Sequence, residues 1–192
     1  MPLEFRPKIE KILELLVYLA HKKPGVDKYQ VVKFFYLADR EHLNRYGRPI
    51  TYESYFALPY GPVASTAMDL VEGERWILKE AGIDMLPFDT EEKPTNKGKL
   101  VTTIVGARRD VNFDLFSKSD IRVFDQIIKE YGDYSFEQLY ELTHTHLAYK
   151  KAWENKKPNV KRAQMYYEDM IDDENKRAAI VEDLGPVAAN IE

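Results

Sequence analysis

Cysteine is absent from the 192-residue chain. This absence excludes disulfide frameworks, thiolate nucleophiles and zinc sites built on sulfur. Long hydrophobic runs are also missing, since no stretch approaches the roughly 18 uninterrupted apolar residues of a membrane-spanning helix. The first residues, with Pro2, Glu4, Arg6 and Pro7, do not have the pattern of a signal peptide. We therefore expect a cytoplasmic protein.

Recognisable catalytic motifs are missing as well. The chain contains no Walker loop, G-x-G-x-x-G, H-E-x-x-H or G-x-S-x-G pattern. We therefore predict neither an enzyme nor a cofactor or metal site. One alternative is a metal-dependent hydrolase centred on Asp39, His42 and His144, because Asp39 and His42 share a helix face. His144 and His146 would diverge by roughly 200° on a helix, so only one of them could join such a site.

Charge is unevenly distributed along the chain. The net charge is -4 and the pI is about 5.7, which argues against broad binding to nucleic acid phosphates. A basic cluster nevertheless contains Lys156 and Lys157 and is followed by an acidic one. This pattern is typical of two solvated helix faces, but it also fits a basic patch for an acidic partner. In the second interpretation Lys156 and Lys157 are candidate contacts.

Helical patterns dominate the first part of the chain. Pro7 suits a first helical position, and apolar residues then recur at helical spacing from about Lys8 to Lys22. Asp27 is placed to cap a second helix that ends at Gly47. Pro62 is expected to open a third helix that ends at about Glu72.

Strand signals lie between these helices and the next ones. Tyr52–Leu58 predicts a short strand, while Trp76–Leu78 and Val101–Val105 are β-prone runs. Helices resume after a capping signal at Ser117 and after a capping box that begins at Ser135. We predict a mainly α (α+β) fold with a small antiparallel hairpin or sheet between helices. Residues 1–155 are expected to form the domain, and residues 156–192 a C-terminal helical extension packed on it.

Aromatic side chains are concentrated around two prolines in the stretch from Tyr36 to Pro62. Such a stretch can be a loop pinned over the core, or it can be a rigid recognition surface. Tyrosine suits recognition because its flat ring buries a large area while its hydroxyl remains free to bond. Tyr46, Tyr55 and Tyr60 are the candidate partner contacts.

Three motifs follow one another in this part of the chain: YLADREHL at 36–43, RYGRPI at 45–50 and YGPV at 60–63. Together they resemble the SocA-like antitoxins with a Panacea domain. The resemblance implies a mostly helical domain that neutralises a cognate protein toxin by direct contact. It leaves open an adaptor that delivers the toxin to a cytosolic protease. Because the family's toxins are unrelated, it also implies that His42, Arg48 and Gly61 belong to the scaffold.

Overall fold

The structure is a computed structural model that describes residues 2–189. No helix within this range is long and apolar enough to cross a membrane. The longer helices are connected by short helices and strands. The helices are α1 (Ile9–Lys22), α2 (Lys28–Tyr46), α3 (Ser65–Val71), α4 (Arg75–Glu80), α5 (Lys118–Tyr131), α6 (Phe136–His144), α7 (Leu147–Glu154) and α8 (Glu174–Ala189).

Two small antiparallel sheets complete the fold, and the predicted mainly α (α+β) class is confirmed. Their strands are β1 (Val26–Asp27), β2 (Tyr55–Leu58), β3 (Gly61–Ala64), β4 (Phe88–Pro94), β5 (Leu100–Ala107) and β6 (Ala163–Gln164). One sheet has the order β1-β5-β4, and the other has the order β3-β2-β6.

Helix α2 is central to the fold and packs against α3, α5 and β3. Its start follows from local chemistry, because the Asp27 carboxylate accepts a 2.9 Å hydrogen bond from the Gln30 amide. The Gln30 side chain accepts one in return from the Asp27 amide at 3.3 Å. Gly47 ends the helix with a φ of 73°. The predicted cap and stop of this helix are confirmed.

Two predicted elements are wrong. Pro62 does not open a helix but lies in β3, paired with Ala57, and α3 begins at Ser65. The predicted strand at Trp76–Leu78 is helical and belongs to α4. In α4 only Ile77 is buried, at 1% exposure. A single apolar anchor in a short helix is difficult to distinguish from a strand by residue type, because packing readily overrides β propensity.

The predicted hairpin or sheet is confirmed, but one of its strands carries almost no sequence signal. The run at Val101–Val105 lies in β5, as expected. Its partner β4 contains Asp89, Glu91, Glu92 and Lys93, and its exposed end is almost entirely polar. Charged edge strands of this kind resist pairing with other chains, at the cost of a recognisable apolar alternation.

The segment after α7 packs against the rest of the chain through buried side chains. It begins with β6 and a 3-10 turn at Tyr167–Met170 and ends with α8. Met165, Tyr167 and Ile180 belong to the same apolar core as α1 and α2. The division into residues 1–155 and 156–192 stays a prediction, and its residues 1 and 190–192 lie outside the described range.

Gly61 occupies a tight position at the start of β3. Its φ is 101°, a region that L side chains rarely adopt. A Cβ at this position would lie 2.8 Å from Thr143 Oγ1 and 3.0 Å from Lys33 Nζ. Both backbone conformation and space therefore require glycine here.

We predict that Gly61→Val lowers the free energy of unfolding by about 2–4 kcal/mol, because positive φ and steric overlap both destabilise the folded state. Gly98→Val is the matched control. Gly98 has a φ of 75°, and a Cβ added to it would meet no atom within 4 Å, so the control reports the backbone effect alone, about 1 kcal/mol. Urea denaturation of both variants measures the difference. Equal losses would contradict the proposed crowding at Gly61.

Candidate partner-binding surface

Two carboxylates of the aromatic-rich stretch, Asp39 and Glu53, face the interior. Asp39 is completely buried and accepts five hydrogen bonds. Its Oδ1 accepts from the amides of Ile50 at 2.7 Å and Thr51 at 2.9 Å. Its Oδ2 accepts from Thr51 Oγ1 at 2.5 Å, from the Tyr55 hydroxyl at 2.8 Å and from the Tyr167 hydroxyl at 3.3 Å. Burial raises the pKa of Asp39, and the hydrogen bonds from Thr51, Tyr55 and Ile50 oppose this increase.

Glu53 is a second buried carboxylate, and it binds the start of α3. Its Oε1 accepts from the amides of Ser54 at 2.7 Å and Thr66 at 3.0 Å, and its Oε2 accepts from the Ala67 amide at 2.9 Å. These bonds satisfy amides that the helix itself leaves without partners. Burial raises the pKa of Glu53 to about 7, although the bonds from Thr66, Ala67 and Ser54 oppose the rise.

Asp120 is the third buried carboxylate and joins α1, α2 and α5. Its oxygens lie 2.7 Å from Lys11 Nζ, 2.8 Å from Arg48 Nη2 and 3.1 Å from His42 Nε2. Burial alone would raise the pKa of Asp120, but the hydrogen bonds from His42, Lys11 and the Ser117 amide lower it well below its usual range. His42 Nδ1 donates to the Arg48 carbonyl at 2.8 Å. His42 and Arg48 are thus engaged inside the scaffold.

The residues considered for a metal site are engaged elsewhere. Asp39 receives the donors described above, and His42 lies with Asp120 and Arg48. His144 lies at the end of α6, where its Nδ1 donates to the Tyr140 carbonyl at 2.7 Å. Within residues 2–189, no three histidine, aspartate or glutamate side chains converge in an arrangement that could hold a metal ion.

The predicted partner contacts lie in different environments. Tyr55 is 1% exposed and directs its hydroxyl to Asp39, so it offers no surface to a partner in this structure. Tyr46 is 45% exposed and stacks near His42, with 4.7 Å between ring centroids. Tyr60 is 55% exposed. Lys156 lies over the Trp153 ring at 4.9 Å, and Lys157 is exposed beside it.

Tyr60 belongs to a continuous aromatic surface, which we define as Tyr29, Tyr60, Phe136, Tyr140 and His144. Phe136 is at its centre, with ring centroids 5.7 Å from both Tyr29 and Tyr60 and 6.3 Å from Tyr140. Tyr140 stacks on His144 at 3.7 Å. Phe136 and Tyr140 are each 36% exposed. The aromatic surface therefore combines accessible rings with fixed ring-to-ring contacts.

Sequence reasoning missed Phe136 and Tyr140 as surface residues. Phe136, Tyr140 and His144 are spaced four residues apart on α6, so they share one face of the helix. In the sequence, Tyr140 counts only toward the apolar content of a predicted helical region. The four-residue spacing of these aromatic residues is visible in the sequence. Whether their helix face is covered or partly open to solvent depends on the position of the β2–β3 turn, which the sequence does not reveal.

A basic groove adjoins the aromatic surface. Ring contacts continue from His144 through the buried Tyr149 to Trp153, and Lys156 covers Trp153. The groove has a volume of about 740 Å³ and lies between the end of α7 and β6. Its lining includes the cations Lys151, Lys156, Lys157 and Arg162, the carboxylates Glu168 and Asp169, and Ala152, Val160 and Gln164. We refer to it as the basic groove.

Comparison with known proteins identifies the scaffold. The family model for the antitoxin SocA-like Panacea domain matches residues 31–154, which is more than half of the chain. The chain belongs to this family. Searches of curated proteins and of solved structures find no significant match. The match ends at the C-terminus of α7, so most of the basic groove's lining lies beyond it.

We predict that Asp39→Asn lowers the free energy of unfolding by about 3 kcal/mol. The amide nitrogen would face donors where a carboxylate oxygen now accepts, leaving buried groups without partners. Asp114→Asn, at an exposed position, is the matched control and should change stability by less than about 0.5 kcal/mol. Urea denaturation measures both. A loss at Asp39→Asn no larger than that of the control would show that the buried acceptor is not needed.

Lys33 is a buried amine without a carboxylate partner among the described residues. It is 4% exposed, and its Nζ donates to the Pro62 carbonyl at 2.7 Å. Burial lowers the pKa of Lys33 from 10.5 to about 7. Between these two values the folded protein has lost a proton that the unfolded chain still holds. The contribution of Lys33 to the free energy of unfolding therefore increases as pH rises through this range.

We predict that Lys33→Met removes this pH dependence. The difference in stability between wild type and variant should shift in favour of wild type from about pH 7 to pH 9, by at most about 1.4 kcal/mol per pH unit. Urea denaturation at several pH values measures it, with Lys129→Met as an exposed control. A difference that stays constant with pH would show that Lys33 keeps its ordinary proton affinity in the folded state.

Proposed function

We propose that this chain is the antitoxin of a toxin-antitoxin pair and that it neutralises a protein toxin by direct contact through the aromatic surface. Membership of the SocA-like Panacea family supports the antitoxin role. One observation supports direct binding through this surface. The side chains of Tyr60, Phe136 and Tyr140 are partly exposed, and their rings pack against one another. Aromatic rings of this kind are enriched among residues that dominate binding energy.

The rings are well suited to form a recognition site. Each is held by its neighbours before a partner arrives, so binding would cost little side-chain entropy. His144 also contacts the β2–β3 turn, where its Nε2 lies 3.3 Å from the Pro59 carbonyl oxygen. Lys99 adds a cation near the edge, with its Nζ 3.2 Å from the Tyr29 hydroxyl. A partner with an apolar patch and neighbouring acidic groups would complement this surface.

Co-expression with the products of neighbouring genes tests the function. We expect one of these products to arrest growth alone and to become harmless when this chain is present, and the two proteins to copurify. If no neighbour is toxic, or if a toxic neighbour stays equally toxic, the proposed function is wrong. A toxin whose level falls only when a host protease is present would instead favour the adaptor mechanism.

We predict that Tyr60→Ser combined with Phe136→Ser weakens the complex with the toxin at least tenfold, because truncating two interface aromatics removes about 2 kcal/mol or more. Trp76→Ser is the matched control, since Trp76 is 57% exposed but lies on α4 outside the aromatic surface. Calorimetric titration of each variant with purified toxin measures the affinity. If the Trp76 variant weakens binding and the double variant does not, the toxin binds elsewhere.

A further inference from the structure

Strand β6 has an outer edge that is open for pairing. Its inner edge pairs with β2, where the Met165 amide donates to the Tyr55 carbonyl at 2.9 Å. In an antiparallel ladder, hydrogen-bonded pairs alternate with pairs that face away. Gln164, opposite Phe56, is therefore a residue whose amide and carbonyl point away from β2. Among residues 2–189, β6 pairs with no strand other than β2, so no strand lies along this outward-facing side of Gln164.

The basic groove next to this edge has more cations than carboxylates, and its carboxylate Glu168 accepts a hydrogen bond from the Leu3 amide at 3.0 Å. Lys151 is neutralised by Asp169, with 2.6 Å between Nζ and Oδ1. Lys156 and Arg162 instead lie over the rings of Trp153 and Phe56, at 4.9 Å and 3.7 Å. In the part of the chain that the structure describes, Lys156, Lys157 and Arg162 form no ion pair. Three cations thus surround an open strand edge.

Two other outer strands, β4 and β3, are protected against pairing. Strand β4 ends in Glu91, Glu92, Lys93 and Pro94, a combination that discourages pairing with a foreign strand. Strand β3 contains Pro62, and α2 and α6 pack against it. The outer edge of β6 has the opposite character, because small Ala163 and polar Gln164 leave its backbone accessible. Helix α7 contacts β6, and the basic groove lies between them.

We propose that the basic groove binds an extended acidic segment of the toxin, which adds a strand to the outer edge of β6. This inference rests on the proposed function and names the type of toxin segment that is recognised. Backbone hydrogen bonds to Gln164 would hold the segment in register, which is how added strands bind to open sheet edges. Its carboxylates would pair with Lys156, Lys157 and Arg162, and its small apolar side chains would contact Ala152 and Val160.

Hydrogen exchange at single amides, followed by NMR, tests the added strand directly. In the free protein we expect the Gln164 amide to exchange rapidly and the Met165 amide, which is bonded to Tyr55, to exchange slowly. Adding the purified toxin that this chain neutralises should slow hydrogen exchange of the Gln164 amide by at least tenfold. Unchanged exchange at Gln164 in a toxin-saturated sample would overturn the inference, even where neutralisation itself is intact.

Substitution of the edge gives an independent test. Gln164→Pro removes the outward amide and should weaken toxin binding at least tenfold, whereas Gln164→Ala keeps that amide and should change it less than about threefold. Equal affinities of the two variants would overturn the proposal. If Gln164→Pro lowers the melting temperature, the exchange measurement, which needs no variant, decides the result.

Charge reversal tests the acidic character of the segment. Lys156→Glu, Lys157→Glu and Arg162→Glu together should weaken toxin binding at least a hundredfold. The matched control reverses Arg75, Lys79 and Arg122, three exposed cations outside the groove, and should retain affinity within about fivefold. Equal effects of the two triple variants would overturn the inference but leave the proposed function standing.

Two further outcomes separate the inference from its alternatives. If the wild-type chain neutralises no neighbouring gene product, the proposed function and this inference both fail. If the Gln164 amide becomes protected as the concentration of the toxin-free protein increases, and light scattering shows a dimer, the edge pairs with a second copy of the chain. That result would overturn the toxin segment as the occupant.

Discussion

The Asp39 carboxylate is the interaction on which the arrangement of the chain depends. It lies on α2 and accepts hydrogen bonds from Ile50 and Thr51, from Tyr55 on β2 and from Tyr167 in the C-terminal segment. A carboxylate can hold several donors at once because its two oxygens have about four lone-pair directions. A neutral apolar residue at this position would leave four buried donors without an acceptor, namely the Ile50 amide, the Thr51 amide and hydroxyl, and the Tyr55 hydroxyl. Helix α2, the β2–β3 hairpin and the C-terminal segment that contains Tyr167 are therefore joined at the Asp39 carboxylate.

Through Tyr167, this acceptor also influences the position of the basic groove. The Tyr167 hydroxyl donates to the Glu53 carbonyl at 2.8 Å and contacts Asp39 as well. Strand β6 lies only three residues earlier, and Asp169, two residues later, binds Lys151 of α7. The two ends of the groove wall are thus fixed to the domain by buried polar contacts. The groove side chains between these two fixed ends remain available to contact a partner.

Features with a local cause could be predicted from the sequence. The caps at Asp27, Ser117 and Ser135 follow from side chains that bond amides three residues away, and all three are capping boxes. Features that depend on distant contacts could not be predicted. Trp76–Leu78 became helical because Ile77 packs into the core, and Pro62 became a strand residue because β2 pairs with it. Neither partner is visible within a short window of sequence.

The residues of the candidate site also divide into those with a local signal in the sequence and those whose exposure depends on distant contacts. Lys156 and Lys157 could be identified because a cluster of like charge is visible without a fold. Phe136 and Tyr140 could not, because an aromatic residue on a helix face is equally compatible with the core and with the surface. Tyr55 and Tyr60 illustrate this ambiguity, since they lie five residues apart in the same aromatic-rich stretch and are 1% and 55% exposed. Exposure was decided by the β2–β3 turn, which directs Tyr60 toward α6.

The separation between scaffold and surface suggests how one domain could accept different partners. Asp39, Glu53 and Asp120 each hold donors from several segments, so a change at any one of them would disturb the whole interior. Lys156, Lys157 and Arg162 form no ion pairs within the described chain, and substituting them would cost little stability. These cations also lie beyond residues 31–154, the part that matches the family. Under the proposed function, the buried polar framework would therefore stay fixed while the groove side chains change with the partner.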